Sequence, residues 1–229
     1  MSKPVLLVHG AFTGAWAWQD VIAELDKRGV AAVAVDLPSR SPGGTLAADV
    51  EAVRGRLGAF GEPAVLVGHS YAGAVITEAS AGNDRVGHLV YVCAALPQAG
   101  ESVAALMGRD PEPSLFGTAI RAAGDGTATL DRAGAKAYVY NDATDEQAAP
   151  VLDALGSHVL GTFDTPVTGL GWREHPSTYV LCTRDRSFSP ALQREFASHA
   201  AATVELDSGH GPMLTRAGQL ADIIAAAAA

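Results

Sequence analysis

The sequence predicts an α/β fold with a doubly wound, mostly parallel six-stranded sheet and helices on both faces. Two observations predict it. Short apolar runs of strand type alternate with amphipathic helical patterns along the chain, which is typical of parallel sheets joined by crossover helices. Polar residues suited to chemistry also follow the ends of several predicted strands, where ligands bind in such sheets. Those residues are His9, Ser70, Cys93, Asp185 and His210.

The first part of the chain contains four predicted strands, at residues 5–8, 30–35, 63–68 and 88–93. The first of them is continuously apolar, as expected of a strand buried on both faces. Between the first two strands, apolar residues recur at helical spacing from Trp18 to Leu25. Between the next two, Thr45 can cap a helix whose apolar positions 46, 50, 53 and 57 share one face.

The composition changes between residues 98 and 172. No clean strand is visible there, the helical patterns are short, and Gly, Pro, Asp and Ala are frequent. Such a segment between α/β units predicts an inserted helical lid, so residues 1–97 and 173–229 are expected to form the core. After the lid, the pattern predicts strands at 177–182 and 202–206, a helix opened by Pro190 and a last helix around Leu220.

Composition and charge exclude several classes of protein. The net charge is −9, and no Lys/Arg cluster is dense enough for a nucleic-acid face. No apolar run approaches the ~20 residues of a membrane span, and the N-terminal residues lack the apolar region of a signal peptide. Cys93 and Cys182 lie in apolar runs, which indicates buried free thiols. We therefore expect a cytoplasmic protein with neither nucleic-acid nor membrane partners.

A strand, a sharp turn and a helix surround Ser70. The apolar run ends at Gly68, Ser70 follows, and a helical pattern begins within a few residues. This order predicts a nucleophile elbow, in which a strained turn exposes the serine Oγ and tolerates only small neighbours. Ala72 stands where the G-x-S-x-G pattern has its second glycine, and Gly73 comes one residue later. His69, next to the serine, is expected to point away from it.

A serine nucleophile needs a base and an acid that orients the base. His210 follows the sixth predicted strand between two glycines, which suits a loop that carries an imidazole over the sheet edge. Asp185 lies just beyond the fifth strand and is the expected acid, with Asp207 as its rival and a surface ion pair as its alternative role. The chain order Ser70, Asp185, His210 is that of the α/β-hydrolase group. His9 is expected to line or brace the loop after the first strand.

An oxyanion hole needs two N–H groups aimed at the position where negative charge develops. The N–H of Tyr71, directly after the nucleophile, is expected to supply one, and that of Ala11 the other. Gly10, Phe12 and Met213 are expected to contact substrate. No glycine-rich phosphate or dinucleotide pattern and no metal-ligand spacing is present, so the sequence predicts no cofactor and no metal site.

The large apolar residues of the predicted lid are few, and together with Phe12, Tyr71 and Met213 they are expected to wall a compact apolar pocket. The lid residues concerned are Leu106, Met107, Leu115, Phe116, Tyr138, Tyr140, Leu152, Leu155 and Phe163. Such a pocket predicts small to medium ester substrates rather than long-chain triglycerides.

Four segments, at residues 9–16, 68–73, 182–185 and 209–213, carry a resemblance to a known family. Over its whole length the chain resembles the α/β-hydrolase superfamily. More narrowly, it is similar to the small plant-type methylesterases and hydroxynitrile lyases and to their bacterial esterase relatives. The resemblance implies an α/β-hydrolase fold with a mostly helical cap after the fourth strand. It also implies a triad of Ser70, Asp185 and His210, with the N–H groups of Ala11 and Tyr71 as oxyanion hole.

The expected function is that of a serine carboxylesterase acting on a small-molecule ester through an acyl-enzyme. Two alternatives stay open: a lyase of carbon–carbon bonds, and a small-ligand receptor built on a hydrolase fold. The lyases of the resembling group carry a Thr after the histidine of the first-strand loop and a Lys after the catalytic histidine. The matching positions here are Gly10 and Gly211, which favours ester hydrolysis. A homodimer is a further expectation.

Overall fold

A six-stranded parallel sheet forms the centre of the structure, a computed structural model that describes residues 2–112 and 114–229. The strands in chain order are β1 Val5–Val8, β2 Ala32–Val35, β3 Ala64–His69, β4 Val86–Val92, β5 Ile120–Ala122, β6 Thr127–Leu130, β7 His158–Val159, β8 Ser177–Cys182 and β9 Ala202–Leu206. The central sheet has the order β2-β1-β3-β4-β8-β9, and every pair in it is parallel. The predicted fold class is confirmed.

Helices cover both faces of this sheet. The helices in chain order are α1 Gln19–Asp26, α2 Leu46–Gly58, α3 Ala72–Ser80, α4 Val103–Gly108, α5 Arg132–Gly134, α6 Asp145–Asp153, α7 Gly161–Asp164, α8 Pro190–Ala197, α9 Pro212–Thr215 and α10 Ala217–Ala228. Of these, α2, α3 and α8 lie on one face and α1 and α10 on the other. Short 3₁₀ segments lie at Ala15–Trp18, Pro38–Arg40, Leu115–Ala119 and Gly171–Arg173, and a π segment at Ala135–Val139. Among the described residues, no helix combines the length and the apolar character needed to cross a bilayer.

Strand β1 shows how the sequence divides the core. All of its side chains are fully buried, and they alternate between the two faces of the sheet. Leu6 and Val8 pack in the cluster that contains the apolar residues of α2, α3 and α8. Val5 and Leu7 pack in the cluster on the opposite face, with those of α1 and α10. The continuous apolar run therefore reflects burial on both faces of the sheet.

The segment between β4 and β8 differs from the expectation in one respect. It contains a three-stranded antiparallel sheet of β5, β6 and β7 besides its helices, so the prediction that it has no strand is wrong. The turn between β5 and β6 uses Gly124 and Gly126, whose φ values are 83° and 85°. Asp125 between them accepts hydrogen bonds from the N–H and the hydroxyl of Thr127. The strands are too short for an alternating pattern to be recognised in the sequence.

The first turn of α3 lies directly against the backbone that follows β4. A Cβ atom on Gly73 would lie 2.0 Å from the carbonyl oxygen of Ala95 and 2.9 Å from the Cβ of Ala94. Only a glycine allows this approach. The glycine one residue beyond its usual place in the elbow pattern therefore serves the packing of the helix on the sheet edge, while Ala72 fits at the usual position.

We expect the variant Gly73→Ala to lose ~3 kcal/mol of unfolding free energy, because the new methyl group forces apart two backbone segments. Gly55→Ala is the matched control. Gly55 also lies inside a helix, and its Cβ would meet nothing within 4 Å, so this variant should gain ~1 kcal/mol from helix propensity. Urea unfolding of both variants measures the difference. A Gly73→Ala variant as stable as the parent would contradict the packing described here.

Candidate active site

Three side chains from separate loops meet at the carboxyl edge of the central sheet. The Nε2 atom of His210 lies 2.9 Å from the Oγ of Ser70, and its Nδ1 lies 2.6 Å from an Oδ2 oxygen of Asp185. A proton on Nδ1 donates to the carboxylate, which leaves Nε2 as the acceptor for the serine O–H. Asp185 and His210 are buried, whereas Ser70 is partly exposed. The rival acid, Asp207, instead forms an exposed ion pair with Arg184 at 2.7 Å.

The backbone of Ser70 adopts a left-handed conformation with a φ of 55°. Its N–H donates to the carbonyl of Val92 at 3.2 Å, and its own carbonyl accepts from the N–H groups of Gly73 and Ala95, both at 3.0 Å. A non-glycine residue pays a steric penalty in this region, and such strain is concentrated at functional sites. Hydrogen bonds from β4, α3 and the loop after β4 hold the turn in place.

Asp185 is oriented by more than the imidazole. Its Oδ1 accepts from the N–H groups of Ser187 and Phe188, at 2.7 and 3.0 Å. Its Oδ2 also accepts from the side-chain amide of Gln193 at 2.9 Å, and the Oε1 of this fully buried glutamine accepts from the N–H of Cys182. Gln193 was not among the predicted site residues. The available signal is an amide next to Leu192 on the inward face of α8, where an apolar residue would be expected.

Two neighbours hold the backbone of the loop that carries His210. His69 donates from Nε2 to the carbonyl of His210 at 2.8 Å, and the Sγ of Cys93 lies 3.5 Å from the same oxygen. Burial lowers the pKa of His69 well below its ordinary value, so its ring stays neutral. The ligating atoms of His69, Cys93 and His210 lie within 4.8 Å of one another. Because hydrogen bonds already occupy both ring nitrogens of His210, this cluster belongs to the serine–histidine arrangement.

His9 braces the loop after β1, as expected, through hydrogen bonds at both of its ring nitrogens. Its Nδ1 donates to the carbonyl of Gly10 at 2.8 Å, and its Nε2 accepts from the N–H of Leu37 at 3.0 Å. The hydroxyl of Thr13 donates to the same Gly10 carbonyl. Phe12, two residues after Gly10, has a φ of 64°, a strained conformation for a bulky side chain. These hydrogen bonds hold the loop in place beside Ser70.

The two N–H groups predicted for the oxyanion hole both lie next to the nucleophile in the fold. Ala11 borders the cavity above Ser70, and Tyr71 follows Ser70 at the start of α3. Within residues 2–112 and 114–229, neither N–H donates to a protein acceptor. Unpaired N–H groups beside a serine hydroxyl, one of them at the start of a helix, are suited to a substrate oxygen that becomes negative. Their role in catalysis stays a prediction.

The cavity beside Ser70 and His210 is lined mainly by apolar side chains, most of them from the segment between β4 and β8. The apolar lining residues are Ala11, Phe12, Met107, Phe116, Leu130, Val139, Leu155, Phe163 and Phe188, and the other polar ones are Thr13, His69 and Ser187. No Asp, Glu, Lys or Arg lines it among the described residues. Leu130, Val139 and Phe188 were not among the predicted lining residues. Their spacing in the sequence does not indicate a place at the cavity, because packing between distant parts of the chain brings them there.

Not every residue expected to contact substrate lines this cavity. Phe12 does, with its ring 6.3 Å from that of Phe116. Gly10 lies beneath it, where a Cβ would come within 2.8 Å of the Nδ1 of His69. Met213 points into the core beside α10 and borders a separate groove. The side chain of Tyr71 also turns away from the cavity and is fully buried.

His158 is a buried histidine in β7, within the segment between β4 and β8. Its ring packs edge-on against Phe12 at a centroid distance of 5.7 Å, and its Nε2 lies 2.9 Å from the hydroxyl of Thr162. Burial lowers the pKa of His158 to about 3 and that of His9 to about 4, from an ordinary 6.5. Both rings are therefore neutral in the folded protein over most of the acidic range.

We expect the free energy of unfolding to fall as the pH is lowered from about 6.5 to about 4. In this window the unfolded chain protonates these histidines and the folded chain does not, so each of them contributes a loss of about 1.4 kcal/mol per pH unit. His158→Gln removes one such group and keeps an amide donor for Thr162. Urea unfolding across this pH range should give a shallower slope for the variant than for the parent. Equal slopes would show that His158 is not neutral in the folded state.

Comparison with known proteins gives consistent results. The model of the alpha/beta hydrolase family matches residues 5–223. The alpha/beta hydrolase nvfD of Aspergillus novofumigatus is 33% identical over 94% of this chain and 92% of that protein. A carbendazim-hydrolysing esterase of Nocardioides is 28% identical over 96% of this chain and 98% of that protein. The solved structure of a pyrethroid hydrolase from Sphingobium faniae shares the fold, with a TM-score of 0.86, 23% identity, and coverage of 100% and 98%.

Proposed function

The chain belongs to the α/β-hydrolase family, and we propose that it is a serine esterase that hydrolyses small to medium, uncharged carboxylic esters. The observation that carries the proposal is the position of His210 between the Oγ of Ser70 at 2.9 Å and the carboxylate of Asp185 at 2.6 Å. The similarity to hydrolases and to a named esterase supports hydrolysis as the type of reaction.

In this proposal Ser70 attacks the ester carbonyl, and the Nε2 of His210 takes the proton of the hydroxyl. The N–H groups of Ala11 and Tyr71 bind the oxyanion, and Asp185 stabilises the imidazolium. The imidazolium then protonates the leaving alkoxide, which departs as the alcohol and leaves an acyl group on Ser70. Water, deprotonated by His210, attacks this acyl-enzyme, and the free acid leaves with the serine restored.

The lining of the cavity supports uncharged substrates. A carboxylate or ammonium group placed there would lose its water without gaining a charged partner, which is costly. The centroid of the Phe12 ring lies 6.3 Å from that of Phe116 and 6.5 Å from that of Phe163. These rings suit an aromatic or a short aliphatic part of the ester. The substrates expected are therefore aryl or short-chain esters rather than long-chain lipids.

The lyase alternative meets steric conflicts at both of its characteristic positions. A Cβ at Gly10 would lie 2.8 Å from the Nδ1 of His69, and one at Gly211 would lie 2.7 Å from the Tyr140 ring. The glycines therefore leave no room for the threonine and the lysine of the lyases without rearrangement. A ligand receptor, for its part, gains nothing from the strained serine at 55° and its hydrogen-bonded base. Cytoplasmic location and a homodimer stay predictions.

We expect the purified protein to hydrolyse p-nitrophenyl butyrate and to cleave mandelonitrile negligibly. Ser70→Ala should lower kcat for the ester by roughly 10⁴-fold or more, because the nucleophile is lost. Ser198→Ala is the matched control. The hydroxyl of Ser198 donates to the carbonyl of Glu195 at the end of α8, and Ser198 does not line the cavity, so its loss should leave turnover within a few-fold of the parent.

Two outcomes would contradict the proposal. Near-parental ester turnover in Ser70→Ala would remove Ser70 from the chemistry. Cyanohydrin cleavage as fast as ester hydrolysis, abolished by the same substitution, would make a lyase the better assignment. Circular dichroism of both variants confirms that any loss of turnover does not come from unfolding.

A further inference from the structure

The side chain of Tyr71 has a partner that the proposed chemistry does not use. Its backbone N–H is one of the two proposed oxyanion donors, yet its phenol points away from the cavity and is fully buried. There the phenol O–H donates to the Oδ2 of Asp49 at 2.8 Å. Asp49 lies on α2, a helix that otherwise contributes apolar side chains to the core.

Asp49 is an unusual residue for this place. Its side chain is fully buried, and its Oδ1 accepts a hydrogen bond from the N–H of Ser39 at 2.9 Å. Within the described chain, no Lys, Arg or His forms an ion pair with it. Burial raises the pKa of its carboxyl. A buried carboxyl without a cation costs stability. Its presence on the phenol of the residue that follows Ser70 therefore indicates that it serves to position that residue.

The other end of the Tyr71 side chain is held by aromatic rings. The His158 ring packs edge-on against it at a centroid distance of 4.7 Å, and the Phe163 ring does so at 5.7 Å. The side chain is thus fixed at the hydroxyl by α2 and along the ring by the segment between β4 and β8. A side chain held at both ends limits the rotation of its own backbone, which includes the N–H beside Ser70.

We propose that Asp49 and the Tyr71 phenol form a positioning pair that aims the Tyr71 N–H at the oxyanion. Neither group touches substrate, and the pair acts through the backbone of Tyr71. The inference rests on the proposed function, because it assumes that an oxyanion forms at Ser70. An oxyanion hole stabilises the transition state only if its donors are already in place. Loosening the pair should therefore lower kcat and leave KM nearly unchanged.

The experiment uses Tyr71→Phe, which removes one oxygen atom, and Asp49→Asn, which keeps the acceptor for the Ser39 N–H. Each should lower kcat for p-nitrophenyl butyrate about tenfold, a part of the 10²–10³-fold cost of losing an oxyanion donor outright, with KM within twofold. Each should also raise the Ki of an aryl trifluoromethyl ketone, which forms an oxyanion on Ser70, by the same factor. The double variant should be no worse than the more affected single one.

Tyr91→Phe is the matched control. Tyr91 is as fully buried as Tyr71, and its phenol lies 2.9 Å from the hydroxyl of Thr77, which is also on α3. Loss of this hydroxyl should lower the thermal stability but leave kcat and the ketone Ki unchanged. The control thus separates a general loss of core packing from a change at the oxyanion hole.

Two results would overturn the inference. If Tyr71→Phe keeps the parental kcat and ketone Ki while hydrolysis still depends on Ser70, the pair is only structural and the proposed function stands. If the parent protein shows no Ser70-dependent ester turnover, the proposed function fails and the positioning pair fails with it. Should Asp49→Asn not fold, Tyr71→Phe alone decides between the first result and the expected one.

Discussion

The left-handed backbone of Ser70 is the constraint on which the rest of the site depends. It is held by the carbonyl at the end of β4, by the first turn of α3 and by the loop after β4. The helix can come this close only because Gly73 lacks a side chain. The turn exposes the Ser70 hydroxyl at the sheet edge where the loops after β8 and β9 place Asp185 and His210. Packing of one helix against the end of one strand thus fixes the position of Ser70, to which the other two groups must conform.

The core and the segment between β4 and β8 contribute different groups to the site. The core supplies every polar group of the proposed chemistry, and the inserted segment supplies most of the apolar cavity wall. The two are joined beside the site. The hydroxyl of Ser187 donates to the carbonyl of Tyr138 at 3.1 Å, and the amide of Asn141 donates to the carbonyl of Arg184 at 3.0 Å. Both bonds tie the inserted segment to the loop that carries Asp185, so the walls and the triad are held in register.

Much of this arrangement is predictable from the sequence, because parallel strands place the loops that follow them at a single edge of the sheet. That rule brings Ser70, Asp185 and His210 together without any knowledge of side-chain contacts. The rest depends on contacts between residues far apart in the chain. Gln193 supports the acid from a helix, and Asp49 reaches Tyr71 across the core. Both look like ordinary polar residues within helical patterns. The strands β5 to β7 escape notice because they are two to four residues long.

Met213 illustrates why proximity in sequence is a poor guide to the cavity. It lies three residues after His210, but α9 begins at Pro212 and directs its side chain into the core. Phe188, three residues after Asp185, does line the cavity. Packing within the fold therefore decides which residues form the cavity wall, and distance from the triad in sequence does not.

The most direct test of the account is to trap the acyl-enzyme. The protein is mixed with p-nitrophenyl butyrate, quenched in acid within the first turnover and digested, and the peptides are examined by mass spectrometry. We expect a burst of about one p-nitrophenol per chain, as in an acyl-enzyme mechanism whose deacylation is slower than its acylation, and a butyryl group on Ser70. A butyryl group confined to another residue, or Ser70 left unmodified while the ester is turned over, would contradict it.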